Sequence, residues 1–168
     1  MEFFKKNLKN ERGLTLIELL AVVVILGIIA AIAIPSIGGL IDNSKKDAHV
    51  ANAQQMVNSA KIWVTGHANS ASFPKTLLLS EMYTEELIDE IKDPDKETNG
   101  YDEANSHVII SKVGNKYSYT VKLTNGSRGI HAVEGQLNRS NVKKPVPTSA
   151  IGAPASEDDD DDDENKDS

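Results

Sequence analysis

Between Leu14 and Ile41 the chain carries a single charged residue, Glu18, and from Leu19 to Ile41 it carries none. A helix of 23 residues rises about 34 Å, enough to cross a hydrocarbon core of about 30 Å. The chain therefore holds a segment that needs lipid or an equally apolar neighbour around it, which argues against a plain cytosolic enzyme. Lys5, Lys6, Lys9 and Arg12 precede the run. By the positive-inside rule they keep the amino terminus in the cytoplasm and send the rest outward.

Two readings of this segment compete. A basic start, an apolar core and the small residues Ala31-Ile32-Ala33 fit a secretory signal peptide cut near Ala33. Glu18 opposes that reading, because an acidic group at mid-membrane costs roughly 2.5–3.5 kcal/mol on insertion scales. The alternative is an anchor that stays, with Glu18 either snorkelling to water or serving a purpose inside the apolar layer.

The residues around Glu18 favour a purpose. Glu11-Arg12-Gly13 is followed by Leu14-Thr15-Leu16-Ile17-Glu18-Leu19-Leu20 and then the apolar helix, with Pro35 towards its outer end. This run resembles the amino-terminal signature of type IV pilins and pseudopilins, over about residues 9–41. The resemblance implies cleavage by a prepilin peptidase between Gly13 and Leu14, usually followed by methylation of the Leu14 amine. The family more often has Phe where Leu14 stands. It further implies an assembly role for Glu18, with Gly27 to Pro35 loosening as subunits pack. A carboxylate taken out of water needs a partner. Cleavage would create one, the Leu14 amine, about one helical turn from Glu18 in the same chain and within reach of Glu18 in a neighbour shifted along the axis. Pro35 removes a backbone hydrogen bond and predicts a kink.

Beyond Ile41, Val50, Ala53, Val57, Ala60 and Val64 recur at a 3-4-3-4 spacing and predict an amphipathic helix, flanked by Met56 and Trp63. Residues 15–65 then form one long helix, half in the membrane and half amphipathic. Leu77, Leu78, Met82, Leu87, Ile88 and Ile91 predict one or two short helices ending before Asp93-Pro94. Tyr117, Tyr119, Val121 and Leu123 alternate with Lys116, Ser118, Thr120 and Lys122, and Gly114-Asn115 separates that run from Val108–Val113. This is a hairpin pattern. Asn125-Gly126 turns the chain again, and Arg128–Val133 supplies a third strand. The expected fold class is α+β and pilin-like: a long amino-terminal helix packed on a small antiparallel meander, with a disordered acidic tail. The divisions are a leader at 1–13, a transmembrane and polymerisation helix at 14–41, a soluble domain at 42–142, and a disordered linker and tail at 143–168.

Net charge is −7 overall, but it is segregated. Residues 42–105 carry twelve acidic and six basic groups, and residues 106–144 carry one acidic and seven basic. Lys112, Lys116, Lys122 and Arg128 in the basic block are candidate contacts for DNA or for the acidic block of another subunit. The tyrosines facing the core would leave those lysines as one exposed face. Asp89, Glu90, Asp93, Asp95 and Glu97 lack the spacing of an EF-hand and read as a solvated acidic face. Asp158–Asp163 repel one another, and disorder is expected from about Lys143 onward.

Without cysteine there is no disulfide, thiol nucleophile or Cys-ligated zinc. His49, His67, His107 and His131 show no metal spacing, and no catalytic triad, phosphate loop or paired catalytic carboxylate motif stands out. An enzyme, a cofactor and a metal are not expected. The resemblance implies a structural subunit of a type IV pilus or related filament, first in the cell membrane and then at the surface. Its implied partners are copies of itself, the prepilin peptidase, an assembly ATPase and a platform protein. A competence pseudopilin and a type II secretion pseudopilin stay open within that class. A membrane-anchored nucleic-acid-binding module is the alternative of a different class.

Overall fold

The computed structural model describes residues 3–95 and 100–153, with side chains from Thr15 onward. Helix α1 spans Phe3–His67 and includes Pro35. The chain divides into two compact units, Met1–Ser44 and Lys45–Ser168.

The first unit is the amino-terminal part of α1. Its stretch from Thr15 is long and apolar enough to cross a membrane. Leu16, Ile25, Ile32 and Leu40 are each more than half exposed. A soluble monomer rarely shows an apolar surface this continuous, so this one needs a cover. The second unit holds the rest of α1 and everything after it. Here Ala53, Met56, Val57, Ala60, Trp63 and Val64 are buried, and Val50 packs at their edge. The stripe expected from the spacing is the core face of the helix.

That face meets a five-stranded antiparallel sheet in simple order: β1 (Lys75–Leu78), β2 (His107–Val113), β3 (Lys116–Thr124), β4 (Gly129–Val133) and β5 (Val142–Lys143). The β2–β3 hairpin pairs Val113 with Lys116 across Gly114-Asn115, and Gly114 has φ 60°. A positive φ at the first turn residue suits a two-residue hairpin whose twist matches its strands. Val108 and Ile110 of β2, Tyr119, Val121 and Leu123 of β3, and Ile130 and Ala132 of β4 supply the buried sheet face. These alternations are the period of two that a half-buried strand requires.

Two expectations from sequence are corrected. Leu77 and Leu78 belong to strand β1, paired with Val108 and His107. The helix that follows, α2, covers only Leu79–Thr84, and Leu87, Ile88 and Ile91 lie in irregular chain. Glu86 at φ 54° ends any continuation of the helix. Leu77 is buried at an edge position that only backbone pairing to β2 offers. Second, the segment from Lys143 to Ala153 is not a disordered linker. Val142–Lys143 pairs with β4, the ring of His131 bonds through Nδ1 to the carbonyl of Pro147 at 3.0 Å, and Ile151 bridges Ala132. The amide of Val133 donates to the Ile151 carbonyl at 3.0 Å. The far edge of β4 would otherwise present unpaired backbone groups, and this returning chain satisfies them. The aspartate run Asp158–Asp163, and with it the expectation of an acidic disordered tail, lies outside the described residues.

Gly129 is where the sheet is least tolerant. A Cβ there would stand 1.9 Å from the Leu123 carbonyl oxygen and 2.8 Å from Thr124 Cα, both backbone atoms. At Gly135 a Cβ meets nothing within 4 Å. Gly129→Ala is expected to destabilise the folded unit by about 3 kcal/mol, by forcing the β3–β4 backbones apart. Thermal unfolding of the full chain, followed by far-ultraviolet circular dichroism, should show a midpoint about 10 °C lower for this variant. Gly135→Ala serves as the near-neutral control.

Candidate functional site

In the amino-terminal unit, Gly13, Leu14, Glu18, Gly27 and Pro35 all lie within α1. The side chains of residues up to Leu14 lie outside the described residues, so the geometry about the Gly13–Leu14 bond is a matter of backbone alone. Glu18 is exposed in a run of exposed apolar neighbours. Four residues of helix separate it from Leu14, a rise of about 6 Å. A Cβ built at Gly27 finds open space within 4 Å, so nothing inside this chain calls for a glycine there.

The folded unit contains a polar cluster that the sequence did not announce. His49 on α1 is fully buried. Its Nε2 lies 3.1 Å from Asp95 Oδ2 and 3.8 Å from Asp93 Oδ1, and its Nδ1 lies 2.9 Å from the Tyr101 hydroxyl. Asn52 Nδ2 donates to that hydroxyl at 2.9 Å and to the Lys92 carbonyl at 3.0 Å. Asp95 is further held by Lys45 at 3.3 Å and Arg128 at 3.2 Å. Asp93 accepts from Asn125 Nδ2 at 2.9 Å and from the Asp95 amide at 3.1 Å. The cluster clasps the chain after α2 to the helix and to the β3–β4 turn. Asp93 and Asp95 therefore leave the solvated face assigned to them. Asp89 and Glu90 are exposed as expected, and Glu97 lies outside the described residues.

Burial works against the charge of Asp95, but the hydrogen bond from His49 and the cations of Lys45 and Arg128 outweigh it, so its carboxyl titrates below the usual range. Burial is also what pushes the Tyr101 hydroxyl well above the ordinary tyrosine value. Ligand atoms of His49, Asp93 and Asp95 lie within 4.8 Å of one another, a donor set that suits a small divalent cation. Two cationic side chains, Lys45 and Arg128, already sit on Asp95. A divalent ion would have to displace both, so the arrangement reads as an ion-pair clasp. Sequence spacing missed it because His49 and Asp95 stand 46 residues apart and meet only through the fold.

The four basic candidates do not form one face. Lys112 pairs across the sheet with Tyr117 and shares its side, with Nζ 5.2 Å from the Tyr117 ring centre and 5.7 Å from that of Phe73. Lys116 is exposed beside the hairpin turn. Lys122 lies on the opposite side of the sheet, in register with His107 and His131. Burial, then Lys122 and His131, hold the His107 ring below the usual histidine value. Arg128 belongs to the clasp. The expectation of a single lysine face fails because Lys112 follows the parity of Val108 and Ile110.

Residues 8–34 match the family model described as the prokaryotic N-terminal methylation motif. Neither a curated protein nor a solved structure matches the chain significantly.

The Asp95 carboxyl has a lower pKa folded than unfolded, so its contribution is present above the unfolded value near 3.8 and is lost as pH falls through the lower folded value. Asp95→Asn is expected to cost about 2 kcal/mol at pH 7, the worth of hydrogen bonds to a charged group. Thermal unfolding from pH 7 to pH 2.5 should show the gap between wild type and variant closing below about pH 4. A gap constant with pH would mean that the charge of Asp95 does not stabilise the clasp.

Proposed function

We propose that this chain, which bears the prepilin-type signature, is a structural subunit of a type IV pilus or closely related filament. The observation that carries the reading is the methylation motif at residues 8–34, and Gly13, Leu14 and Glu18 fall within that range. The chain is made as a membrane protein with its amino terminus in the cytoplasm. The prepilin peptidase cuts between Gly13 and Leu14, and the Leu14 amine is methylated.

Assembly follows from solvation. The apolar surface from Leu16 to Ile41 is exposed along the isolated chain. In the membrane, lipid covers it. When an assembly ATPase and platform protein extract the subunit, only the same helices of neighbouring subunits offer equivalent cover. Glu18 cannot be covered by apolar side chains without cost. Its pairing with the Leu14 amine of an adjacent subunit removes both charges together and selects one axial register. Glu18 acts here as an assembly residue. Gly27 and Pro35 weaken the helix between the two halves of the buried segment, by backbone entropy and by a missing hydrogen bond.

The reading is tested by mass spectrometry of the mature amino terminus in the cell-envelope fraction. A first residue Leu14, with or without an added methyl group, is the expected result. A start near Ile34 would assign the chain to ordinary secretion. An uncut Met1 form alone, in cells that express a prepilin peptidase, would leave a membrane-anchored module. Glu18→Ala is further expected to abolish sheared surface filaments or reduce them strongly while monomer stays in the membrane.

A further inference from the structure

The folded unit carries two exposed surfaces of opposite charge whose groups form no ion pair among the described residues. The first is the tip of the β2–β3 hairpin. Lys112 lies over the Phe73 and Tyr117 rings on one side of the ribbon, Lys116 stands beside the turn on the other, and Val113, in register with Lys116, is 80% exposed. Among the described residues no carboxylate pairs with either lysine. Cation–π contact leaves the Lys112 ammonium ready for an anion.

The second surface is a hollow of about 740 Å³ lined by Tyr83, Glu86, Ile88, Asp89, Glu90 and Glu103. All four acids are exposed, and none has an ion-pair partner among the described residues. Their field reaches the Tyr83 hydroxyl, whose pKa is raised first by burial and then by Glu103 and Glu90. Glu86, Asp89 and Glu90 also line an adjoining groove with Lys92 and Ile62, and Ile62 is 62% exposed. Three acids against one lysine leave this region acidic, with Ile62 as apolar area beside it.

Strand β2 keeps the two apart. It begins at His107, four residues after Glu103, and ends at Val113 beside the lysines, a length of about 20 Å. A contact between them is made by two copies. It joins different patches on the two partners, so it is heterologous, and a heterologous contact that does not close repeats into an open helical array.

We infer that the Lys112–Lys116 hairpin tip of one subunit docks on the acidic hollow around Glu86, Asp89 and Glu90 of the next, as a lateral contact of the filament. This rests on the filament reading and adds to it a contact outside the membrane helix. The helices supply apolar cover, and the charged pair supplies orientation and register.

The absence of cysteine allows a clean test in the full-length chain. Sheared filaments of a Val113→Cys/Asp89→Cys double variant should oxidise to a ladder of dimers and higher multimers, and either single variant should not. Lys112→Glu/Lys116→Glu should lower sheared filament about tenfold or more, since the variant sets like charges against each other. Adding Glu86→Lys/Glu90→Lys to that chain should restore filaments, which a folding defect would not allow. Normal filament from the reversal variant, no ladder from the double cysteine, or a dimer from Val113→Cys alone would overturn the contact. Loss of filament that disappears when residues 157–168 are deleted would assign the lysines to the acidic tail instead and equally overturn it. Absence of filament from wild-type cells on the same blot would sink the filament reading itself.

Discussion

The buried stripe from Ala53 to Val64 on α1 is the contact on which the folded unit depends. Its side chains are small in the middle, at Ala53, Val57 and Ala60, and larger at the flanks, at Met56 and Trp63. Small residues let the sheet approach the helix closely, and the larger ones fill the sides. Each strand from β2 to β4 gives this stripe its apolar parity, and the opposite parity goes to solvent or to the returning chain at 143–153. Fully burying a large aliphatic side chain contributes about 1.5–3 kcal/mol. A core of eighteen buried apolar residues among the described ones, without a disulfide, is therefore a reasonable basis for a domain of this size.

The same helix serves two solvents. From Leu16 to Ile41 its apolar residues point in every direction, and nothing among the described residues covers them. From Ala53 onward they face the sheet, with Ile62 the exposed exception. The change of pattern marks the place where the helix begins to be covered by the protein's own sheet. In the folded unit Asp47 accepts two hydrogen bonds from Arg139, the first at 2.7 Å, and the clasp at His49 engages the next turn. Polar contacts thus fasten the start of the amphipathic part where the apolar stripe has not yet begun.

Much of this was legible in the residues. The apolar run, the 3-4-3-4 stripe, the Gly114-Asn115 turn and the strand alternation each rest on a local period or a local turn preference, and the folded chain follows them. Where reading failed, the deciding partner was distant. Leu77 and Leu78 satisfy a helix pattern as well as a strand pattern, and pairing with β2 settles the matter. Val142, Lys143 and Ile151 carry no strand signature among prolines and small residues, yet the open edge of β4 recruits them.

The sequence by itself determined that the amino-terminal helix carries a long apolar run, that Glu18 is the single charge within it, and that one helix covers a small antiparallel sheet. Hydropathy, period and turn chemistry are properties of neighbours along the chain. Tertiary structure alone decided that His49 meets Asp93 and Asp95, that Lys112 parts from Lys122, and that the basic hairpin and the acidic hollow stand on one folded unit with no ion pair between them among the described residues. Charge and hydrogen bonding act through space, between residues tens of positions apart, and only folding sets those distances.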